Sequence, residues 1–449
     1  MRQGLKFLKS LYSRSYKDFE ILSWIKERRD AVVTTLTEID IKDLKSWAFN
    51  EYGLSHDSGK FYQIQLRRNE INGKHWDQPI INQPEIGILG FITTEIKGVL
   101  HFLVQAKIEP GNINIVQLSP TVQSTKSNFT KVHGGSLTPF VEYFLHKKSH
   151  ALVDQLQSEQ GSRFYQKRNR NIIIEINEYL EHPNYIWLTL GDIVAMTKHH
   201  NTVNMDTRTV ISCIHFGSYL TEALELKTLF NSSENGWVDS MLRRDVYQYS
   251  YPEILSRITE SKFKREHSSK TIKLNETRDW IYEDGKIVNI QDKYFDVVGY
   301  DIHIENRETT NWNQPLIKPK GEGICCFFAK KFDGVYHLLV QLKDEIGSFD
   351  GVEMAPTIQL SNENLKESKY YKIFKSKLNT DAVLFDTMQS EEGGRFYQEQ
   401  NRNMIIEVND DISLDDNFMW MTVQQLKTFL QYNNYVNIQS RSIIASLPL

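Results

Sequence analysis

The feature that most constrains the fold of this 449-residue chain is an internal duplication. Four motifs recur in the same order: WDQPII, VLHFLVQAK, LSPTVQ and SEQGSRFYQKRNRN in the first half, then WNQPLI, VYHLLVQLK, MAPTIQ and SEEGGRFYQEQNRN in the second. Trp312 follows Trp76 by 236 positions and Arg395 follows Arg163 by 232, so the spacing is nearly constant. A period that is kept across four motifs predicts two copies of one structural unit.

The two copies cover about residues 35–215 and 268–449, and each has the size of an ordinary domain. We interpret the polar, charged segment between them as a connector. The predicted domains are residues 1–228, the first repeat with an N-terminal helical extension, and residues 229–449, the connector with the second repeat.

Apolar periodicity predicts the secondary structure of each copy. Segments such as FYQIQLRRNEI, IIIEI and MIIEV are typical of strands. Between Pro139 and Gln157, apolar side chains that would share one helical face predict a helix that ends before Gly161. We therefore expect an α+β protein in which each repeat packs a helix against a mixed sheet.

Composition excludes several functional classes. A net charge of −4 provides no basic field of the kind that attracts nucleic acid or an anionic membrane. Three cysteines, two of them adjacent in the apolar run GICCFFA, argue against a disulfide framework or a zinc site. No signal peptide or membrane span is evident, so we expect a cytoplasmic protein. Motifs for dinucleotide, P-loop, metalloprotease and serine-hydrolase chemistry are absent from the sequence.

The segment GSRFYQKRNRN is the strongest candidate for ligand binding. Its guanidinium and amide groups suit a diphosphate and a sugar. A solvated charged turn is the alternative, although the second copy retains most of the same side chains. The candidates are Arg163, Tyr165, Lys167, Arg168, Asn169, Arg170 and Asn171, with Arg395, Tyr397, Arg402 and Asn403 in the second copy.

Other motifs add polar candidates. In VNMDTRT, Asn204, Asp206 and Arg208 lie two apart, which on a strand would aim all three at one face; otherwise the Asp–Arg pair caps a sheet edge. His133, followed by two glycines in KVHGG, is a candidate acid or base. The run QLSPTVQ offers partners for a base or a sugar, or ordinary turn interactions. This motif and its neighbours contribute Trp76, Gln105, Lys107, Gln117, Thr121 and Gln123, with Trp312, Glu353, Thr357 and Gln359 in the second copy.

The segments HDSGKFY, WDQPIINQPEIGILGF, LVQAKIEPGNINIVQLSPTVQSTKSNFTKVHGG, SEQGSRFYQKRNRN and VNMDTRTVISC resemble the NDP-hexose 2,3-dehydratases of deoxysugar biosynthesis, and the resemblance covers nearly the whole chain. It implies two tandem Nudix-like α/β/α sandwich repeats that have lost pyrophosphate hydrolysis. A Nudix helix carries R-E-x-x-E-E-x-G, whose glutamates hold magnesium. Alignment on Gly161 places Asp154, Gln155, Ser158 and Glu159 at the arginine and glutamate positions, so one glutamate remains. We therefore expect no metal and no cofactor.

The resemblance also implies a reaction on an NDP-4-keto-6-deoxyhexose. A base removes the C3 proton, a general acid assists departure of the C2 hydroxyl, and a 3,4-diketo-2,6-dideoxy sugar nucleotide results. On this basis Arg168 and Arg170 would stabilise phosphate or carbonyl oxygens. The candidates for proton transfer are His133, Tyr165 and Lys167, with Glu159 as base or positioning group. The residue that takes the C3 proton stays open.

Two other functions stay open from the sequence: a Nudix-type nucleotide-sugar hydrolase and a nucleotide-sugar-binding protein without turnover. The nucleotide is open as well. We expect a homodimer that passes its product to a partner reductase and has no nucleic acid or membrane partner. The first repeat is expected to hold the active pocket, because Glu399 and Gln400 replace its Lys167 and Arg168 in the second.

Overall fold

A computed structural model describes residues 2–59, 61–129, 138–145, 150–217, 236–305, 309–361 and 368–447. The chain is mixed α+β, and its two sheet-rich halves repeat the same order of elements, which confirms the predicted α+β class with two like repeats. The Nudix-like α/β/α sandwich stays a prediction. His133 and the predicted domain boundary at residues 228/229 lie outside the described residues, and both stay predictions. In the part of the chain that is described, no helix is long and apolar enough to span a membrane.

The first half begins with two helices and continues mainly as strands. Its helices are α1 (Arg2–Leu11), α2 (Asp18–Asp30), α3 (Lys126–Phe129), α4 (Glu142–Leu145), α5 (Leu190–Met196) and α6 (Met205–Ser212). Its strands are β1 (Thr34–Ile39), β2 (Trp47–Asn50), β3 (Gly53–His56), β4 (Gln63–Ile71), β5 (Lys74–Asn82), β6 (Ile88–Ile96), β7 (Val99–Ile108), β8 (Val116–Ser119), β9 (Val122–Ser124), β10 (His150–Ser158), β11 (Arg168–Glu175) and β12 (Tyr185–Thr189).

The second half follows the same plan. Its helices are α7 (Gly236–Leu242), α8 (Tyr251–Phe263), α9 (Lys369–Lys377), α10 (Val423–Phe429) and α11 (Ile438–Ile444), with a short 3-10 turn at Leu274–Glu276. Its strands are β13 (His267–Thr271), β14 (Trp280–Glu283), β15 (Lys286–Asn289), β16 (Phe295–Ile304), β17 (Asn311–Pro319), β18 (Gly323–Phe332), β19 (Val335–Asp344), β20 (Val352–Ala355), β21 (Ile358–Leu360), β22 (Val383–Ser390), β23 (Gln400–Glu407) and β24 (Phe418–Met421).

Each half contains a mixed seven-stranded sheet. In the first half the order is β10-β11-β6-β7-β12, with β8 on β7 and β9 on β6; in the second it is β22-β23-β18-β19-β24, with β20 on β19 and β21 on β18. The pairs β11/β6 and β23/β18 are parallel. Side chains alternate across a strand, so one face of each sheet is free to meet the other half. Phe91, Val104, Phe327 and Val340 belong to one apolar core that joins the two sheets.

The halves also exchange their first strands. β1 of the first half pairs with β16 of the second, with Leu36 opposite Ile302, and β13 pairs with β4, with Ser269 opposite Asn69. The two five-stranded sheets that result pack on a shared apolar cluster that includes Tyr62 and Phe295. Because the exchange is reciprocal, each half supplies part of the structure around the other.

The segment interpreted as a connector forms α7 and α8, which cover the second half much as α1 and α2 cover the first. Helix α1 packs on β7 and α5, and α7 packs on β19 and α10. The capping contacts match: the Ser10 hydroxyl accepts a hydrogen bond from the Leu190 N–H (2.8 Å), and the Ser240 hydroxyl accepts one from the Val423 N–H (2.9 Å).

The predicted helix between Pro139 and Gln157 is wrong for most of its length. Of the described residues there, 139–145 and 150–157, only those of α4 are helical, and residues 150–158 form β10, which pairs antiparallel with β11. Pairing with a neighbouring strand overrides the local spacing of apolar residues. Asp154, Gln155 and Ser158 therefore lie on a strand with Glu159 just after it, so the alignment of these four positions with a Nudix helix is also wrong.

Candidate active site

Two large polar cavities lie where the halves meet. The first cavity, of about 520 Å³, is built mainly on the first seven-stranded sheet, and the second cavity, of about 760 Å³, on the second sheet. Each is completed by the opposite half. The first cavity receives Trp312, Gln314, Glu392, Gly394 and Arg395, and the second receives the corresponding Trp76, Gln78, Gln160, Ser162 and Arg163. The repeated motifs therefore converge, but they do so across the two halves.

Hydrogen bonds hold the WNQPLI and SEEGGRFYQEQNRN motifs of the second half together where they enter the first cavity. The Trp312 indole donates to the Gln314 side-chain oxygen (2.9 Å), and the Gln314 amide donates to the Gly394 carbonyl (3.0 Å). Gly111 then contacts this loop closely: it donates to the Gly393 carbonyl (2.8 Å), and a Cβ here would overlap the backbone of Phe396. Only glycine fits at such an approach.

A second hydrogen-bonded frame forms the floor of the first cavity. The Lys107 ammonium donates to the Gln123 carbonyl (3.3 Å), and the Gln123 amide donates to Glu109 (3.0 Å). Asn204 donates to the side-chain oxygen of Gln123 (3.0 Å). The second cavity has the same frame, formed by Lys343, Gln359, Glu345 and Asn437.

Asp206 lies in the first turn of α6 and faces the first cavity. VNMDTRT is not a strand that would aim Asn204, Asp206 and Arg208 at one face, because the Asn204 side chain accepts from the Thr207 N–H (2.8 Å) and caps this helix. Asp206 is only 3% exposed, and none of the described residues donates a hydrogen bond to its carboxylate. Burial, and then the negative charge of Glu392, raises the pKa of Asp206 well above its usual range.

Glu392 and Lys167 also line the first cavity, and the charges of Glu159 and Arg395 affect the pKa values of both. Burial raises the pKa of Glu392 to about 7, although Arg395 and Lys167 oppose the shift. Burial lowers the pKa of Lys167, whose ammonium donates to the Glu85 carbonyl. A carboxyl group that titrates near neutrality beside one whose pKa lies well above its usual range is an arrangement suited to acid–base chemistry.

Glu159 lies behind the wall of the first cavity rather than on it. Its carboxylate accepts from the Asn169 amide (2.7 Å), and Asn169 lines the cavity and accepts from the Gly87 N–H (3.0 Å). Burial raises the pKa of Glu159. The corresponding Glu391 does line the second cavity, where burial raises its pKa to about 8.

The two cavities share most of their polar side chains and differ at a few positions. The shared pairs, first cavity before second, are Lys107/Lys343, Glu109/Glu345, Gln123/Gln359, Asn169/Asn401, Trp312/Trp76 and Arg395/Arg163. The positions that differ include Asp206/Gln439, Lys167/Glu399, Glu392/Gln160 and Gln83/Pro319. The acidic pair and the lysine of the first cavity thus become two amides and a glutamate in the second.

Several sequence-predicted residues line neither cavity. Arg170 and Arg402 form ion pairs with Asp154 and Asp386 at partly exposed positions. Arg168 lies over the ring of Phe349 (4.1 Å). The structure likewise places the Tyr165 ring against Arg67 (3.9 Å) and the Tyr397 ring against Tyr300 (4.8 Å).

Other predicted residues are part of the framework. Thr121 and Thr357 accept from the backbone N–H groups of Ile92 and Phe328 (2.9 Å each), which tie short loops to β6 and β18. Gln105 lies on β7 without lining either cavity. Gln117 accepts from Ser390 (2.9 Å), Glu353 from Ser158 (2.7 Å), Asn171 donates to the Asn169 carbonyl (3.1 Å) and Asn403 donates to Ser442 (2.6 Å).

Arg208 is fully buried and links the halves. Its guanidinium donates to the Ser442 hydroxyl and the Ser390 carbonyl of the second half. Arg441 makes the reciprocal contacts, to the Ser158 carbonyl and to the Thr209 hydroxyl (2.6 Å). Both arginines therefore hold the ends of β10 and β22 against the helix of the opposite half.

Replacing Glu353 with glutamine, the residue type of its counterpart Gln117, is expected to stabilise the fold above pH 7. Burial raises the pKa of Glu353 from its ordinary 4.5 to about 7. A raised folded-state pKa costs stability as the pH rises from the unfolded to the folded value. Thermal unfolding at pH 8 should show a gain of about 1–3 kcal/mol, absent at pH 4. Equal effects at both pH values would contradict this account.

Sequence reasoning missed Glu109 and Glu392. The duplication carried a signal for Glu109, because Glu345 follows the copied VQLK motif at the same spacing of 236. Glu392 had no such signal, because its counterpart is Gln160 and it serves the cavity of the opposite half.

Buried carboxyl groups with raised pKa values, set beside lysine and arginine in a polar cavity, are characteristic of an enzyme that moves protons on a polar ligand. The chain belongs to the NDP-hexose 2,3-dehydratase family, whose sequence model matches residues 18–214 and 251–447. This match confirms the resemblance and the duplication, and it includes α2 and α8 in the repeats.

Three relatives are similar along most of the chain, and each is described as a dTDP-4-dehydro-6-deoxy-alpha-D-glucopyranose 2,3-dehydratase. The protein from Saccharopolyspora spinosa is 39% identical over 444 residues, covering 95% of this chain and 90% of the relative. That from Streptomyces violaceoruber is 37% identical, covering 94% and 95%. That from Amycolatopsis orientalis is 35% identical, covering 95% and 89%.

Proposed function

We propose that the chain removes water across C2 and C3 of a dTDP-linked 4-keto-6-deoxyglucose, and that the first cavity is the site of this chemistry. The names of the three relatives support the substrate. The main support for this choice of site is the difference between the two cavities, which share most of their polar side chains. Asp206, Lys167 and Glu392 occur in the first, where Gln439, Glu399 and Gln160 stand in the second.

In the first step Glu392 takes the C3 proton. A pKa of about 7 leaves a large fraction of this carboxyl ionised at neutral pH, and a base near the working pH is most effective. The electron pair moves to the C4 oxygen, where the Lys167 ammonium stabilises the enediolate that forms. Arg395 binds substrate and keeps Glu392 partly ionised through its positive charge.

In the second step Asp206 acts as the general acid. Its raised pKa favours the protonated form, which gives a proton to the C2 hydroxyl; the hydroxyl leaves as water while C4 regains its carbonyl. The resulting C2=C3 enol becomes the C3 ketone when C2 takes the proton held by Glu392 and the C3 hydroxyl returns a proton to Asp206. Both carboxyl groups are then as they began, and one water has left the sugar.

The second cavity keeps the polar frame but has no counterpart of Asp206, because Gln439 stands there. We propose that it accommodates a similar ligand without performing the chemistry. The reversal of charge from Lys167 to Glu399 would weaken stabilisation of a developing oxyanion. A homodimer, a cytoplasmic location and a partner reductase that consumes the diketone stay predictions.

The test is incubation with dTDP-4-keto-6-deoxyglucose in D₂O, followed by mass spectrometry and NMR of the nucleotide sugar. The expected product has lost one water and carries deuterium at C2, because the proton that Glu392 takes from C3 exchanges with solvent before C2 takes it up. Release of dTMP would favour the hydrolase instead. Unchanged substrate with measurable binding would favour a binding protein.

Turnover is expected to persist in excess chelator. Among the described residues, no group of three or more histidine, cysteine, aspartate or glutamate side chains is arranged to hold a metal ion. In the first cavity the carboxyl groups are interspersed with Lys107, Lys167 and Arg395, whose charges oppose cation binding. The measurement is kcat before and after chelation and after addition of magnesium, and a loss that magnesium restores would overturn the expectation.

A further inference from the structure

We propose that Glu85 is a positioning residue that fixes Lys167 and Arg395 in the first cavity; this inference rests on the proposed function. Glu85 lies between β5 and β6 and is not itself among the cavity-lining residues. Its backbone carbonyl accepts a hydrogen bond from the Lys167 ammonium. Its carboxylate accepts from the Gln83 amide (2.9 Å), from the Ser127 N–H (2.8 Å) and from the Ser127 hydroxyl (3.1 Å).

The contact with Gln83 reaches Arg395 of the opposite half. Gln83 is 2% exposed, and its side-chain oxygen accepts from two nitrogens of Arg395 (3.4 and 3.2 Å). A carboxamide has one accepting end and one donating end, so the carboxylate of Glu85 decides which end Arg395 meets. Without it the amide can turn its NH₂ group toward the guanidinium, where two donors oppose each other.

The contact with Ser127 fixes a further wall of the first cavity. Ser127 lies in α3, a helix that begins directly after the cavity-lining residue Thr125. The Glu85 carboxylate therefore connects α3 to Gln83, while the Glu85 main-chain carbonyl holds Lys167.

The second cavity lacks this hydrogen-bonded arrangement of Gln83, Glu85 and Lys167. Pro319 stands at the position of Gln83, Gly321 at that of Glu85 and Glu399 at that of Lys167. Three positions that are linked by hydrogen bonds in the first cavity are thus all different in the second. This arrangement therefore occurs in the cavity that contains Asp206, Glu392 and Lys167 and not in the other, as expected if it positions the catalytic groups.

Glu85 also contributes charge. Burial lowers the pKa of Lys167, and the negative charges of Glu159, Glu392 and Glu85 oppose that shift. Removal of the Glu85 charge should therefore lower the pKa of Lys167 further and deprotonate it at a lower pH.

The experiment compares Glu85→Ala and Glu85→Gln in the full chain, with dehydration of dTDP-4-keto-6-deoxyglucose as the readout. Glu85→Ala should lower kcat about tenfold, because misplaced groups lose catalytic alignment. Glu85→Gln keeps an accepting oxygen and should retain kcat within about threefold. In both variants the alkaline limb of the pH profile of kcat/KM should move to lower pH, because both remove the Glu85 charge that raises the pKa of Lys167.

Glu322→Ala is the matched control. Glu322 lies in the corresponding loop of the second half, where it accepts from the Gln400 amide (2.6 Å), and neither residue lines a cavity. Its loss should leave kcat and the pH profile unchanged.

Several outcomes would overturn the role of Glu85. Unchanged kcat in Glu85→Ala would do so, as would an unshifted alkaline limb in Glu85→Gln. If Glu85→Ala fails to fold, the pH profile of Glu85→Gln still decides. Native protein without dehydration would instead refute the proposed function, and the role of Glu85 with it, before any variant is compared.

Discussion

Asp206→Asn is expected to lower kcat by about 10²–10⁴-fold while substrate still binds. Asp206 is buried in the first turn of α6, and its raised pKa favours the protonated form that the departing C2 hydroxyl needs. Asparagine has almost the same shape but no proton to transfer. Steady-state kinetics with dTDP-4-keto-6-deoxyglucose would measure kcat, and calorimetric titration would measure binding.

Glu392→Gln is the paired variant, and hydrogen exchange separates the two roles. It places in the first cavity the amide that Gln160 supplies to the second. In D₂O, the Asp206→Asn enzyme should still exchange the C3 hydrogen of unreacted substrate, because Glu392 still removes it. The Glu392→Gln enzyme should not, and the opposite pattern would interchange the acid and the base.

A matched change in the second cavity tests which half holds the chemistry. Gln439→Ala alters the position that corresponds to Asp206 and should reduce turnover far less than Asp206→Asn. If Gln439→Ala abolishes turnover while Asp206→Asn remains active, the active cavity is the second one.

Much of the candidate site could be predicted from the duplication. Lys107, Gln123, Lys167, Asn169 and Asp206 were candidates on the sequence, and all of them line the first cavity. Repetition identifies Lys107, Gln123 and Asn169 because both cavities contain the same polar frame, whereas Lys167 and Asp206 differ between the copies. The same repetition also predicted two like α+β units.

The pairing of strands between the two halves could not be predicted from the repeated motifs. Strand β1 pairs with β16 rather than with a strand of its own half, and that choice depends on which sheet edges meet in space. As a consequence Arg395 serves the first cavity and Arg163 the second. A residue such as Glu392, which has no identical counterpart, is visible only once the halves are placed together.

Local periodicity failed where tertiary contacts decide the structure. The apolar residues of β10 resemble a helical face, but the strand is held by hydrogen bonds to β11. Arg170 and Arg208 are both arginines in polar motifs, yet the first forms a partly exposed ion pair and the second is fully buried. Side-chain type does not distinguish a ligand contact from a framework contact.

Arg208→Ala is expected to lower the free energy of unfolding by about 2–5 kcal/mol, because it removes buried hydrogen bonds between the halves and leaves a cavity. The guanidinium is 0% exposed, and its loss takes a donor from the buried Ser390 carbonyl and leaves the Ser442 hydroxyl with Asn403 as its donor. Urea denaturation monitored by circular dichroism would measure the change.

Arg170→Ala is the matched control, because the partly exposed pair between Arg170 and Asp154 should contribute only about 0–1 kcal/mol. A second consequence of Arg208→Ala follows from its position: Ser390 precedes Glu391 and Glu392, so the base of the first cavity should be displaced as the contact between the halves loosens. If Arg208→Ala instead unfolds like the native chain but no longer binds substrate, Arg208 is the ligand contact that the sequence predicted and its framework role is refuted.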